Sequence, residues 1–320
     1  MVGTILVTGG TGFIGSFIVR KLVEEGRKVV ALDIRPVIEE NVALWDIKDK
    51  FIVVKGSILD WHVLVDTVKK YDVEYIIHTA SPLTIEAERN PYTALRVICE
   101  GTMNMFELGR VFDIKRIVWS SSIAVYGEPE EYPPKPLTED DPPKPKTVYG
   151  IAKLYCEHMT EWYYKKYGLD IIALRYSVVC GPGRTRGATA YASRIVEDAA
   201  YGKKVLVDID PETTFDWTYV KDVAEANIKA LFAKDVKHRI FNVTGKVIKL
   251  IDLINQVKKI LPEAQIEISK EPRRPPYTTK YGYNNERANK ELGWKPKWSL
   301  EKGIMDHVNM IHKFIKAKGS

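Results

Sequence analysis

The stretch LVTGGTGFIG, residues 6–15, restricts this chain more than any other. An apolar β-branched run passes through a glycine-rich turn into an amphipathic segment. A turn that tight needs residues without a Cβ, and a bare backbone lets a pyrophosphate approach the helix N-terminus behind it. Gly9, Gly12 and Gly15 supply that freedom. The next apolar run, KVVALDI, ends at Asp33, close to the roughly 20-residue spacing of the acid that holds a dinucleotide ribose. A carboxylate there accepts the ribose hydroxyls and repels a 2′-phosphate, which points to NAD. Arg35, two residues on, is the residue type that receives such a phosphate, so NADP stays open at this stage. A glycine-rich turn binding nothing is the bland alternative, and the strand–turn–helix–strand setting argues against it.

The same alternation continues. TILVTG, KVVALDI, FIVVKGS, YIIHTAS, RIVWSSS and IIALRYSVV read as strands, separated by helical segments such as FIGSFIVRKLVEEG and PYTALRVICEGTMNMFELGRVF. This order predicts an α/β fold with a doubly wound parallel Rossmann sheet, covered by helices on both faces. The proline-crowded segment Glu128–Lys146 can enter neither a helix interior nor a central strand and is expected as a surface loop. Residues 1–177 are expected to form the NAD-binding Rossmann domain, completed by a return of the chain over about 214–247. Residues 178–213 and 248–320 are expected to form a smaller mixed α/β substrate-binding domain.

Composition removes several classes. The chain has 320 residues, 45% apolar and 28% charged, with a net charge of +6 carried by dispersed lysines and arginines. No basic stripe or nucleic-acid module stands out, so no nucleic-acid partner is expected. Cys99, Cys156 and Cys180 are widely spaced without a CxxC, which argues against a disulfide framework or zinc site and fits a reducing cytoplasm. The histidines show no ligand spacing, so no metal is expected. No apolar stretch approaches the roughly 20 residues that span a bilayer. The chain enters a strand-like run at once, so no signal peptide is expected.

TVYGIAK, residues 147–153, puts Tyr149 and Lys153 one helical turn apart on one face. Alone, such a pair is an ordinary surface feature, and the serine run Ser120–Ser121–Ser122 an ordinary strand end. Together, at the carboxyl edge of a doubly wound sheet, they suit hydride chemistry at a carbon bearing oxygen. A phenol near pKa 10 is too weak a base at neutral pH. An ammonium about 4 Å away, at an effective dielectric near 20, favours the phenolate by about 4 kcal/mol. That is roughly three pK units at most. Ser122 would orient the reacting oxygen.

With TGGTGFIG, HTAS, SSSIAVYG, YGIAK, LRYSVVCGPG, YVKDVAEA and ELGWKP in view, the chain resembles the extended short-chain dehydrogenase/reductases, the NAD-dependent epimerase/dehydratase family, over nearly its full length. The resemblance implies an NAD-dependent enzyme with Ser122, Tyr149 and Lys153 as catalytic set. It implies cofactor contacts from Gly9, Gly12, Phe13, Ile14, Gly15, Asp33, Ile34, Ser57, Ile58, Thr79, Ala80, Ser81, Ser120, Tyr149, Lys153 and Tyr176. It also implies a homodimer through a four-helix bundle built from the helices at Tyr92–Val111 and Val148–Tyr167. The spacing of Ala152, Tyr155, Met159 and Trp162 permits such a face, and burial inside one chain would explain it equally.

The chain departs from the nucleotide-sugar members of that family where they bind a diphosphate. Val178 stands at a usual Asn, Phe215 at the usual Arg of RDFxYV, and Ala190 at the place of another Asn. None of the three can donate to a pyrophosphate, and an arginine's bidentate charge is lost. Arg274 in EPRRPPY matches a family phosphate contact. The stretch RTRGATAYAS resembles the corresponding loop of short-chain L-threonine dehydrogenases. Ser81, Ser122, Arg184, Arg186, Thr189 and Arg274 are therefore the expected substrate contacts, with a solvated loop as the equal alternative for the two loop arginines. Ile123 and Ala124 occupy the place of the Asp–Glu pair of 4,6-dehydratases. The expected activity is NAD-dependent oxidoreduction at a secondary alcohol or ketone of a small sugar, polyol or hydroxy acid. The alternative is a nucleotide-sugar 4-epimerase.

Overall fold

The computed structural model describes residues 3–275 and 278–319. Its strands are β1 Thr4–Thr8, β2 Val29–Asp33, β3 Ile52–Lys55, β4 Val73–His78, β5 Arg116–Ser122, β6 Ile171–Tyr176, β7 Val178–Cys180, β8 Val205–Ile209, β9 Thr214–Tyr219, β10 Ile240–Val243, β11 Lys246–Lys249 and β12 Ile266–Arg273. Its α-helices are α1 Phe13–Glu24, α2 Trp61–Tyr71, α3 Thr84–Arg89, α4 Pro91–Leu95, α5 Gly101–Val111, α6 Val148–Tyr167, α7 Tyr191–Ala200, α8 Val220–Phe232, α9 Leu250–Ile260, α10 Glu286–Leu292 and α11 Leu300–Lys318.

The strands β10, β6, β5, β4, β1, β2 and β3 lie side by side in that order, all parallel. Their cores are unbroken apolar runs such as Ile5–Leu6–Val7 and Ile171–Ile172–Ala173, buried throughout. Such runs need cover on both faces, because period-two alternation would leave one face wet. One face packs on Phe17 and Ile18 of α1 and Val220, Val223 and Ala224 of α8. The other packs on Leu64 of α2, Met105 and Phe106 of α5, and Ala152 and Cys156 of α6. The chain reverses its progress across the sheet between β1 and β4, which opens a crevice at the carboxyl ends of those strands.

The smaller portion carries a three-stranded sheet, β11-β9-β7, and the pair β12-β8. The sequence reads IIALRYSVV as one strand, and the structure breaks it at Ser177. Tyr176 ends β6 in the large sheet, while Val178 begins β7 beside Trp217 of β9. Ser177 Oγ holds this switch, donating to Asp216 Oδ1 at 2.6 Å and lying 2.6 Å from Thr218 Oγ1. Within the stretch 214–247, α8 and β10 join the large sheet, whereas β9 and β11 pair with each other in the small one. The proline-rich loop is fixed by Tyr132 and by a small core. Tyr132 Oη donates to the Pro142 carbonyl at 2.9 Å, and Val125, Tyr126 and Leu137 form a small core beneath it. Among the described residues, no helix is long and apolar enough to cross a membrane.

Candidate active site

At the carboxyl end of β1, Gly9 takes a φ of +66°. A Cβ there would stand 2.8 Å from the Ala80 amide nitrogen, and one on Gly15 would stand 2.1 Å from the Gly9 carbonyl oxygen. Glycine is thus required at both positions: at the first for backbone hand and space, at the second so that α1 can press onto the turn. Gly12 caps α1, whose first amides have no acceptor within the helix and are available to an anion. At the end of β2, Asp33 accepts from the Thr11 and Arg35 amides, each at 3.2 Å. Its carboxylate is thereby aimed along the same crevice.

These elements open one cleft of about 960 Å³. Its walls bring together Gly9, Gly12, Phe13, Ile14, Gly15, Asp33, Ile34, Ser57, Ile58, Thr79, Ala80, Ser81, Ser120, Tyr149, Lys153 and Tyr176. Ser122, Arg184, Arg186 and Thr189 line it as well. Arg274 is the exception: it is exposed and absent from the cleft wall. The reason is its place just past β12, whose partner β8 lies away from the cleft and takes Arg273 into an ion pair with Asp208 at 2.8 Å. Asn41, Tyr126, Glu197, Asp216 and Tyr283 also line the cleft, although no sequence pattern marks them. Tyr126 and Tyr283 stack with centroids 5.5 Å apart.

Helix α6 begins at Thr147, whose hydroxyl accepts from the Gly150 amide at 3.0 Å. That cap fixes the first turn and sets Tyr149 and Lys153 on the cleft side. Lys153 is only 2% exposed, and its Nζ donates to the Ser120 carbonyl at 2.7 Å. The same Nζ lies 5.4 Å from the centre of the Tyr149 ring. Burial pulls the Lys153 ammonium down to about 8, with Cys156, Cys99 and Glu157 acting in the opposite sense. Behind it His78 is buried and neutral, pushed down to about 3 by burial and by the Lys153 charge. Ser122 Oγ accepts from the Ala124 amide at 3.1 Å, which leaves its own hydrogen to be donated. Ser120 Oγ donates to Tyr176 Oη at 3.4 Å, and Tyr176 Oη donates to Asn227 Oδ1 at 2.9 Å. Ser121 Oγ donates to the buried Glu157 at 2.6 Å.

In the far half of the cleft, Arg184 donates from Nη2 to Thr189 Oγ1 at 2.8 Å and from Nη1 to the Val179 carbonyl. Burial lowers its pKa, and the groups acting on its charge, Cys180, Tyr191 and Tyr149, include no carboxylate. Val178 and Phe215 line the same region, Phe215 packing edge-on against Tyr191 at 6.0 Å. Among the described residues, no cluster of three or more His, Cys, Asp or Glu side chains is arranged to hold a metal ion.

A glycine cradle at a helix N-terminus, an acid at the end of β2 and a Tyr–Lys pair at the switch point define a dinucleotide-dependent oxidoreductase. The sequence model of the NAD dependent epimerase/dehydratase family matches residues 5–244, and the chain belongs to that family. UDP-glucose 4-epimerase of Lacticaseibacillus casei is 30% identical over 313 residues, covering 92% of this chain and 92% of that protein. Among solved structures, UDP-glucose 4-epimerase with UDP-glucose from Thermotoga maritima aligns with a TM-score of 0.86 at 29% identity, covering 98% of this chain and 99% of that one. L-threonine dehydrogenase from Clostridium difficile aligns with a TM-score of 0.84 at 27% identity, covering 97% and 98%. The chain is an NAD-dependent oxidoreductase of this family.

Proposed function

We propose that this enzyme oxidises or reduces a secondary alcohol or ketone on a small anionic substrate, a hydroxy acid or acidic sugar, with Tyr149 as acid/base. Bound NAD supplies the hydride acceptor or donor. The chain's own groups do the rest. Ser122 donates its hydroxyl hydrogen to the reacting oxygen and orients it. Tyr149 takes or returns that oxygen's proton. Lys153, buried and tied to the Ser120 carbonyl, favours the phenolate and holds the nicotinamide ribose. Asp33 receives the adenosine ribose, and the α1 amides and Gly9–Gly15 receive the pyrophosphate.

The observation that carries the substrate reading is the far half of the cleft. Val178 and Phe215 line it without a side-chain donor for a diphosphate, and Arg184 faces the cleft without an acidic partner among the described residues. A desolvated guanidinium with open donors suits a carboxylate or a single phosphate. Thermal-shift and turnover assays with NAD plus L-threonine, other small hydroxy acids, UDP and UDP-glucose test this. Small acids should stabilise the NAD-loaded protein and be turned over. Arg184→Met should raise KM for them by about 10- to 100-fold, as expected for a lost charged hydrogen bond, and leave neutral alcohols unaffected. Stabilisation by UDP-sugars alone would sink this reading. It would install the second one, a UDP-glucose 4-epimerase, which the full-length likeness to the Thermotoga maritima enzyme favours.

We also propose a division of labour in which residues 1–177, with α8 and β10 of the stretch 214–247, serve the cofactor, and residues 178–213 and 248–320, with β9, serve the substrate. Hydrogen exchange should then show NAD alone slowing exchange at Gly9–Gly15 but not at Arg184–Thr189. We also propose a homodimer in a reducing cytoplasm, consistent with three free cysteines. Tyr155 is 45% and Trp162 47% exposed on α6, beside Tyr92 and Leu95 of α4. Ala152 and Met159 are already packed inside the chain. An uncovered aromatic stripe of this kind on two adjacent helices is what a helix-bundle partner would bury. Light scattering should read about twice the 36.5 kDa chain mass, and Tyr155→Glu should halve it. A monomer before substitution would remove the dimer.

A further inference from the structure

Two cysteines far apart in sequence meet directly behind Lys153. Cys99 lies in the π-helical turn Arg96–Glu100 that joins α4 to α5, and Cys156 lies on α6, one turn after Lys153. Each thiol reaches a carbonyl on the other's helical segment. Cys99 Sγ is 4.0 Å from the Ala152 carbonyl oxygen, and Cys156 Sγ is 3.6 Å from that of Ile98. The two thiols lie close enough for each to shift the other's ionisation. The wide turn aims Cys99 at α6, because a π turn carries one more residue than an α turn and re-phases the side chains. It is seated by Gly101, where a Cβ would stand 2.4 Å from Ile58 Cδ1. Cys156 is buried, whereas Cys99 is half-buried and the more accessible of the two. The contact with Cys156 and the nearby Lys153 ammonium hold the Cys99 thiol below its usual range, and Cys156 is pushed up. That asymmetry suits an attacking thiolate with a resolving thiol behind it. Cys180 is remote from both, buried on β7 beside Arg184.

We propose that Cys99 and Cys156 form a reversible redox site, closed by a peroxide into an intramolecular disulfide that weakens the enzyme's hold on its dinucleotide. The Cys99 thiolate attacks the O–O bond, takes one oxygen as sulfenic acid and expels hydroxide, which leaves as water. Cys156 sulfur then attacks Cys99 sulfur, and the sulfenic oxygen leaves with the Cys156 proton as a second water. Two thiols and one peroxide thus give one disulfide and two waters. A disulfide holds its sulfurs about 2 Å apart, closer than any non-bonded thiol pair, so closure draws the π turn and α6 together. Val97 on that turn and Lys153 on α6 both line the cleft, and both must shift.

The test treats the purified protein with hydrogen peroxide and reads thiol count, peptide mass and NADH affinity by fluorescence, before and after dithiothreitol. The three free thiols should fall to one, with a Cys99–Cys156 linked peptide and a severalfold loss of NADH affinity, all reversed by dithiothreitol. Cys99→Ser and Cys156→Ala should each keep NADH affinity through the same treatment. Persistence of all three thiols, sulfinic acid at Cys99, a cross-link between two copies, or a disulfide with unchanged NADH affinity would each overturn the proposal. None of these readouts depends on which substrate the enzyme takes.

Discussion

Tyr149→Phe should lower kcat by about 1000-fold, the range expected for loss of a positioned general acid–base group, while NADH affinity holds. The phenylalanine keeps the ring beside Lys153 and removes only the oxygen that carries the proton. Lys153→Met should behave differently. It removes a buried cation bonded to the Ser120 carbonyl at 2.7 Å, so NADH affinity and kcat should fall together. The pH profile adds a second check. The working form of Lys153 is the ammonium, which burial holds at about 8, so wild-type turnover should decline as pH rises through that value. In Lys153→Arg, whose charge persists to high pH, the decline should disappear even if the rate is low. Stopped-flow single turnovers separate chemistry from product release. Turnover by Tyr149→Phe within about tenfold of wild type, below the lower end of the acid–base range, would remove Tyr149 as the proton carrier.

The place of those residues in the cleft was legible because the pattern that marks them is local. The glycine turn, the acid ending β2 and a Tyr–Lys pair one turn apart are each written within a few residues of themselves. The sheet was legible for a similar reason, since strands covered on both faces must be apolar without alternation. What escaped depends on distant pairings. Nothing in IIALRYSVV marks Ser177 as the residue where the chain changes sheets, because the cause is Asp216 and Thr218 on another strand. Arg274 looked like a phosphate contact from its neighbours Pro275 and Arg273, yet its position follows from β12 pairing with β8. Cys99 and Cys156 showed no motif because a π turn and α6 bring them together, and hydrophobic periodicity is blind to that crossing.

Substitution of Glu157 should unsettle the fold more than any exposed charge. Arg175 on β6 and Glu157 on α6 form an ion pair at 2.7 Å, with side chains 4% and 1% exposed. Arg175 Nε gives the carboxylate a second bond at 2.8 Å, and Ser121 Oγ donates to it at 2.6 Å. Arg175 Nη1 donates to Tyr126 Oη at 2.7 Å, so one network joins α6, β5, β6 and the wall of the cleft. Glu157→Gln keeps the shape but leaves a buried guanidinium without its counter-charge. Removing one partner of such a pair costs about 3–5 kcal/mol, whereas an exposed pair such as Lys165–Glu161 is worth under about 1 kcal/mol. Urea unfolding should therefore show a loss of about 3 kcal/mol for Glu157→Gln. Arg175→Met combined with Glu157→Leu should recover most of it, because two apolar groups need no counter-charge and the net worth of a buried pair is small. If the single variant lost less than about 1 kcal/mol, the pair would be behaving as a solvated one. The network braces the strand that carries Ser120 and Ser122, so Glu157→Gln should also lower kcat modestly without changing which substrates are accepted. An altered substrate preference would mean that the pair reaches the ligand through Tyr126, and its role would then be more than structural.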